Sequence, residues 1–255
     1  MDIAVKDWRL TVVPDAAAAS ELAADMVEET IHAKPSAVLS LPTGSTPLPM
    51  FDMLTARAAR GEIDFTRVEL FCLDEYVGVT ADDPNSLTGW LRNALIERVG
   101  IPAGHVHPLP ATAVDPAADA AGYERDLAAR GGLDLVVLGL GPNGHVAYNE
   151  PGAAADSRTR VVELTPESLA QASAYWQGSV EIPDTALTIG IGTLLEAKKI
   201  VLLVTGEAKA SMLRRTLLEP MSADVPASWL RLAGPRLTVI ADEAAASDLT
   251  VVRTD

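Results

Sequence analysis

The run Leu135-Val136-Val137-Leu138 constrains the fold more than any other stretch of this chain. Four successive apolar residues with no polar alternation suit a strand covered on both faces, as strands are in a parallel sheet. Comparable runs recur at residues 9–13, 37–41, 67–73, 200–204 and 237–241. Helical patterns lie between them. An alanine-rich stretch capped by Asp15 reaches about Ala33, and others cover residues 48–59, 86–99, 116–130 and 166–176. A last one opens at Thr205-Gly206 and runs to Leu218. Strand and helix alternate with no linker or repeat. That predicts a single-domain α/β fold over residues 1–255, a doubly wound, mostly parallel sheet with helices on both faces, Rossmann-like.

Composition excludes some functions. A formal net charge of −15 argues against a nucleic-acid-binding face, which needs clustered basic residues. It leaves room for an anionic small molecule, since a site can be locally positive on an acidic protein. No apolar run approaches the ~20 residues needed to cross a bilayer. Residues 1–14 lack a basic region followed by an apolar core, so neither membrane insertion nor a signal peptide is expected. The single cysteine, Cys72, permits no internal disulfide and points to a reducing, cytoplasmic setting. Lying in a strand-like run, it reads as a small buried apolar residue.

In an open α/β sheet, ligands bind beyond the carboxyl ends of the strands. After residues 37–41, the loop Pro42-Thr43-Gly44-Ser45-Thr46-Pro47 opens a helix. Hydroxyls and free backbone N–H groups then converge where the helix dipole is positive, a cradle for phosphate, although Ser and Thr also cap helices with no ligand. The Gly-Lys-Ser/Thr ending of a P-loop is missing. After residues 67–73 come Asp74 and Glu75, two adjacent carboxylates that are costly unless paired, solvated or employed. After residues 135–138, glycines 139, 141 and 144 loosen a loop that carries Asn143, His145, Asn149 and Glu150, though Gly-Pro-Asn-Gly is also an ordinary turn.

Three cations complete the candidates. Lys209 falls in the first turn of a helix, where the dipole disfavours positive charge, so it either reaches solvent or answers an anionic ligand. Arg158 and Arg160 occupy alternate positions of an extended stretch and point the same way, toward an anion or toward solvent. His105 and His107, two residues apart, suit a metal only with a third ligand from elsewhere. None is evident; both read as structural, and no metal is expected.

Several motifs can now be taken together. They are Leu41-Pro42-Thr43-Gly44-Ser45-Thr46-Pro47, Asp74-Glu75-Tyr76-Val77-Gly78, Gly139-Leu140-Gly141-Pro142-Asn143-Gly144-His145, Asn149-Glu150-Pro151, Ser157-Arg158-Thr159-Arg160, the run at 187–195, and Gly206-Glu207-Ala208-Lys209. In that order, across nearly the whole chain, the set resembles the glucosamine-6-phosphate deaminase (isomerase) family. The related 6-phosphogluconolactonases share the fold and two of these loops. They usually carry Asp-Glu-Arg where this chain has Asp74-Glu75-Tyr76, and they lack the Asn-Glu-Pro.

The resemblance implies conversion of glucosamine 6-phosphate, or a close epimer, to fructose 6-phosphate and ammonia, with no metal or organic cofactor. It implies that Thr43, Gly44, Ser45 and Thr46 hold the 6-phosphate and that Lys209 neutralises it. His145 would open the sugar ring, oriented by Glu150, with Asn143 hydrogen-bonded to the imidazole. Asp74 would move the proton from C2 to C1. Two departures stand out. Asn143 occupies a position where the family often has Asp. Ala174-Tyr175-Trp176 stand where it places a phosphate-binding arginine, which leaves Arg158 or Arg160 as substitutes. Two alternatives remain, a lactone hydrolase and a non-catalytic sugar-phosphate sensor. Such sensors normally follow a DNA-binding helix-turn-helix, for which a first strand near residue 9 leaves no room. The number of subunits stays open, a homo-oligomer among the options.

Overall fold

The computed structural model describes residues 2–5, 8–173, 176 and 181–249. Its strands are β1 (Asp2–Val5), β2 (Trp8–Val13), β3 (Val38–Ser40), β4 (Glu69–Phe71), β5 (Asp74–Tyr76), β6 (Val106–His107), β7 (Leu135–Gly139), β8 (Arg160–Glu163), β9 (Thr185–Thr188), β10 (Ile200–Val204) and β11 (Leu237–Asp242). Eight form one sheet in the order β1-β2-β11-β10-β7-β3-β4-β6. Its neighbours pair parallel, except β1, which folds back antiparallel on β2.

The unbroken apolar runs are explained by two cores, one on each face. Val136 and Leu138 of β7 pack into one, with Tyr123, Leu127, Leu213 and Leu230 from helical segments. Leu135 and Val137 pack into the other, with Val27, Ile31, Phe51, Leu54 and Leu95. Successive side chains of a strand point to opposite faces, so a strand covered twice has no polar side. The expected doubly wound, mostly parallel arrangement is present. From β3 the chain winds outward through β4 to β6. From β7 it winds the other way through β10 to β11. The reversal between neighbours β3 and β7 opens a crevice at their carboxyl ends, where such folds keep ligands.

Two features differ from the expectation. The hairpin strand β1 precedes the strand expected near residue 9; four residues are too few for a periodicity to register. More consequential is a second, three-stranded antiparallel sheet in the order β5-β9-β8. Asp74–Tyr76, which directly follows the strand expected over 67–73, is a strand of it. A local pattern shows an extended segment but not which sheet receives it. Gly190, just past β9, makes the approach feasible: a Cβ there would lie 2.1 Å from the Ser157 carbonyl oxygen. The helix expected over 166–176 spans Pro166–Ser173; Ala174 and Tyr175 lie outside the described residues. No helix among the described residues is long and apolar enough to cross a membrane.

Candidate active site

A cleft sits over the carboxyl ends of β3, β4, β7 and β10, lined by Thr43, Gly44, Ser45, Thr46, Asp74, His145 and Lys209 among others. Residues spread over more than 160 positions thus meet at the winding reversal. On the β3 side, helix Leu48–Ala59 begins at Pro47 with no side-chain cap. Among the described residues no hydrogen bond uses the hydroxyls of Thr43, Ser45 or Thr46, and Gly44 takes a left-handed turn at φ 101°. Unspent donors at a helix N-terminus suit an anion. Lys209 faces the same cleft from the 3₁₀ turn Glu207–Lys209 that precedes helix Ala210–Leu218. It has no carboxylate partner among the described residues, and partial burial lowers its pKa.

The two adjacent acids part company because β5 sends alternate side chains to opposite faces. Glu75 turns away and caps the next helix, accepting from Ser86 Oγ at 2.7 Å and from the backbone N–H groups of Leu87 and Thr88 at 3.0 Å. Asp74 lines the cleft, buried, with no hydrogen-bond partner among the described residues. Burial, and then the charge of Glu75, push its carboxyl up to about 7.

The loop after β7 is arranged differently. Glu150 is buried, and burial alone would raise its pKa. Interactions with His145, Ser168 and Asn143 outweigh that and hold it at about 2. Asn143 donates through Nδ2 to Glu150 Oε2 at 2.7 Å, while its Oδ1 accepts from the backbone N–H of His145 at 3.1 Å. The expected bond from Asn143 to the imidazole is therefore not made; the amide braces the loop and the carboxylate instead. The ring Nδ1 lies 3.1 Å from Ser168 Oγ and 3.5 Å from Glu150 Oε2. The ring also lies against Gly141, where a Cβ would come within 2.2 Å of His145 Cδ2. That close approach is why glycine stands there.

Ser168 and Thr165 are site residues that the sequence did not reveal. Thr165 Oγ1 lies 3.2 Å from Glu150 Oε2 and also accepts from the Ser168 N–H. In sequence, Thr165-Pro166 is only a helix start, a threonine cap with proline at the first turn. Nothing local shows that the cap also reaches a carboxylate 15 positions earlier. The far wall is aromatic. Trp176 stands edge-on to Tyr76 with ring centres 5.3 Å apart, and the Tyr76 and Tyr148 hydroxyls are 2.8 Å apart.

Neither arginine offered as a phosphate ligand lines the cleft. Arg158 precedes β8 and pairs with Glu124 and Glu196. Arg160, in the strand, donates to Asn149 Oδ1 at 2.9 Å and to the Arg158 carbonyl at 3.3 Å. The two do not point the same way, because regular alternation begins only at residue 160. Among the described residues Lys209 is the only cation lining the cleft. The remaining candidates are structural. His107 pairs with Glu69 and stacks on Phe71 with ring centres 4.2 Å apart. Burial pushes the Cys72 thiol up to about 12.

Comparison with known proteins bears on what this cleft does. The model of a family described as glucosamine-6-phosphate isomerases/6-phosphogluconolactonase matches residues 15–239. A glucosamine-6-phosphate deaminase of Rhodopirellula baltica is 43% identical over 239 residues, 93% of this chain and 94% of that protein. One from Streptomyces avermitilis is 41% identical over 241 residues, 94% of this chain and 92% of that protein. Among solved structures, a monomeric glucosamine-6-phosphate deaminase superposes with a TM-score of 0.89 at 34% identity, covering 94% of this chain and 99% of its own. The 6-phosphogluconolactonase of Trypanosoma cruzi reaches 0.75 at 24% identity over 98% of this chain and 99% of its own, a likeness of fold.

Proposed function

The chain belongs to the family of glucosamine-6-phosphate isomerases and 6-phosphogluconolactonases, and from that premise we propose that it converts glucosamine 6-phosphate to fructose 6-phosphate and ammonia. The observation that carries this reading is Asp74: a carboxylate at about 7 that has no hydrogen-bond partner among the described residues and lines the same cleft as an imidazole and Lys209. A base that must take a proton from carbon and return it works best with its pKa near the working pH.

The chemistry then runs as follows. The 6-phosphate lies on the free N–H groups and hydroxyls of Thr43, Gly44, Ser45 and Thr46, with Lys209 as counter-charge. His145 moves a proton from O1 to O5 as the C1–O5 bond breaks and the ring opens. Glu150, held anionic, supports the positive charge the imidazole carries in passing, and Asn143 holds Glu150. Asp74 takes the C2 proton as O1 takes up a proton from water, leaving an enolamine, and delivers it to C1 as the amino nitrogen gives up a proton to water. The resulting imine at C2 is hydrolysed by water, releasing ammonia. These steps call on side chains of the protein and on water, and we expect no cofactor. We place the activity in one domain spanning residues 1–255 and in the cytoplasm, in keeping with the lone cysteine.

A product assay with glucosamine 6-phosphate, galactosamine 6-phosphate and 6-phosphogluconolactone side by side tests the reading. Ammonia and fructose 6-phosphate are expected from the first. Turnover of the lactone with no ammonia from either amino sugar overturns it in favour of the hydrolase, which needs a base for water but no abstraction from C2.

A further inference from the structure

A lysine is a point charge on a flexible four-carbon stem, so how well Lys209 answers an anion depends on what holds its backbone. That backbone is the turn after β10. Gly206 opens it at φ 89° and ψ 147°, a conformation that glycine alone takes readily. A Cβ on Gly206 would meet nothing within 4 Å, so glycine stands there for the backbone angle and not for want of space. The Gly206 carbonyl then accepts from the backbone N–H of Lys209 at 3.0 Å, which closes the 3₁₀ turn Glu207–Lys209.

What fixes Gly206 comes from the neighbouring strand. β10 and β11 pair in parallel, so the loops that follow them leave the same edge of the sheet. Asp242, the last residue of β11, is buried, and both of its carboxylate oxygens lie 3.0 Å from the Gly206 nitrogen. Its Oδ1 also accepts from the backbone N–H of Ala245 at 2.7 Å. Among the described residues it has no ion pair, and its hydrogen bonds all come from backbone N–H groups. A buried carboxylate is costly unless its lone pairs are used. The Ala245 bond serves Asp242's own turn; the reach across to Gly206 does nothing for that turn and everything for the next loop. We propose that Asp242 is a positioning residue for the phosphate end of the cleft. By holding the Gly206 N–H it sets the turn from which Lys209 reaches the ligand, and so the affinity for a sugar phosphate. This rests on the proposed function only for Lys209 as counter-charge of the 6-phosphate; the proton transfers at Asp74 and His145 are untouched.

The test is a double-mutant cycle on the full chain: parent, Asp242→Ala, Lys209→Ala and the two together, each checked for its fold by circular dichroism. Calorimetric titration with fructose 6-phosphate, against fructose as the reference without the anion, reads affinity with no turnover. Steady-state assays with glucosamine 6-phosphate read kcat and KM. The parent should bind the phosphate at least about 10-fold more tightly than fructose. Asp242→Ala should weaken that binding about 10-fold, with KM following and kcat within about twofold. The loss stays below the about 30-fold expected of Lys209→Ala, the residue through which it acts. On the Lys209→Ala background the same substitution should change affinity by less than about twofold, because residues that act through one another are not additive. If Asp242→Ala does not fold, Asp242→Asn carries the cycle. It keeps the shape and one acceptor oxygen, and should weaken binding about threefold in the parent and not at all beside Lys209→Ala. Equal losses in both backgrounds overturn the proposal. So does a folded Asp242→Ala that binds like the parent or loses kcat with KM unchanged, and so does a parent that binds fructose as tightly as its phosphate. Failure to produce ammonia defeats the functional reading instead, while the calorimetric cycle still decides this one.

Discussion

The loops after β3 and β7 leave neighbouring strands at the same edge of the sheet, yet they are built on opposite principles. In the first, three hydroxyls and an uncapped helix start are unspent among the described residues. In the second, Asn143, Asn149 and Glu150 are each tied to named partners. The carboxylates repeat the contrast. Asp74, with no hydrogen-bond partner among the described residues, is pushed up to about 7; Glu150, wrapped in donors, is held at about 2. Open groups are where a ligand completes the hydrogen bonding. Satisfied groups hold a catalytic side chain in one geometry. Two carboxyls whose environments drive their pKa values apart are fitted to different tasks, one to move a proton and one to remain charged.

Removing the open half of that contrast should have the largest effect. Asp74→Asn is expected to lower kcat on the order of 10³-fold, within the range for loss of a general base. It should also stabilise the fold. A carboxyl whose pKa is raised on folding contributes stability below its unfolded pKa and loses it as pH rises through about 7. The asparagine variant should therefore gain about 2–4 kcal/mol at pH 8 and lose that advantage near pH 4. Denaturant titrations at the two pH values measure it. In the parent, kcat/KM should fall as pH drops below about 7. A variant no more stable than the parent at pH 8 would show that Asp74 has a partner.

The closed half is broken next by Gly141→Ala, whose Cβ would collide with the His145 ring at 2.2 Å. Displacing that ring should cost about 10²-fold in kcat, as misplacement of about 1 Å can, with the fold retained by circular dichroism. Lys209→Ala sharpens the comparison from the binding side. KM should rise about 30-fold with kcat changed much less, in line with one charged hydrogen bond. A kcat loss without a change in KM would remove Lys209 from the phosphate's company. Arg158→Ala should do least. Its partners Glu124 and Glu196 lie outside the cleft, and a half-exposed ion pair is worth under about 1 kcal/mol. KM is expected within twofold of the parent, and a larger shift would return Arg158 to the site.

How much of this was legible beforehand depended on distance along the chain. The strands at 200–204 and 237–241 and the helix at 48–59 stand where their local patterns place them, because an apolar run or a proline-led helix start acts over a few residues. The cleft residues Thr43, Ser45, Thr46, Asp74, His145 and Lys209 were legible for a related reason: each follows directly on an apolar strand. Ser168 was not, since its role comes from a ring 23 positions away. The arginines misled because 158 and 160 look equivalent by spacing, while only the second belongs to β8.

By itself the sequence determined that a doubly covered parallel sheet would form and that polar loops would gather at one edge of it. Hydrophobic periodicity and glycine or proline punctuation are short-range and survive in any context. Tertiary structure alone decided that neither arginine lines the cleft, which of two adjacent acids does, and that a serine on a separate helix touches the imidazole. Those outcomes depend on how a second sheet packs over the first. Packing is settled by contacts between segments that carry no mark of one another in the chain.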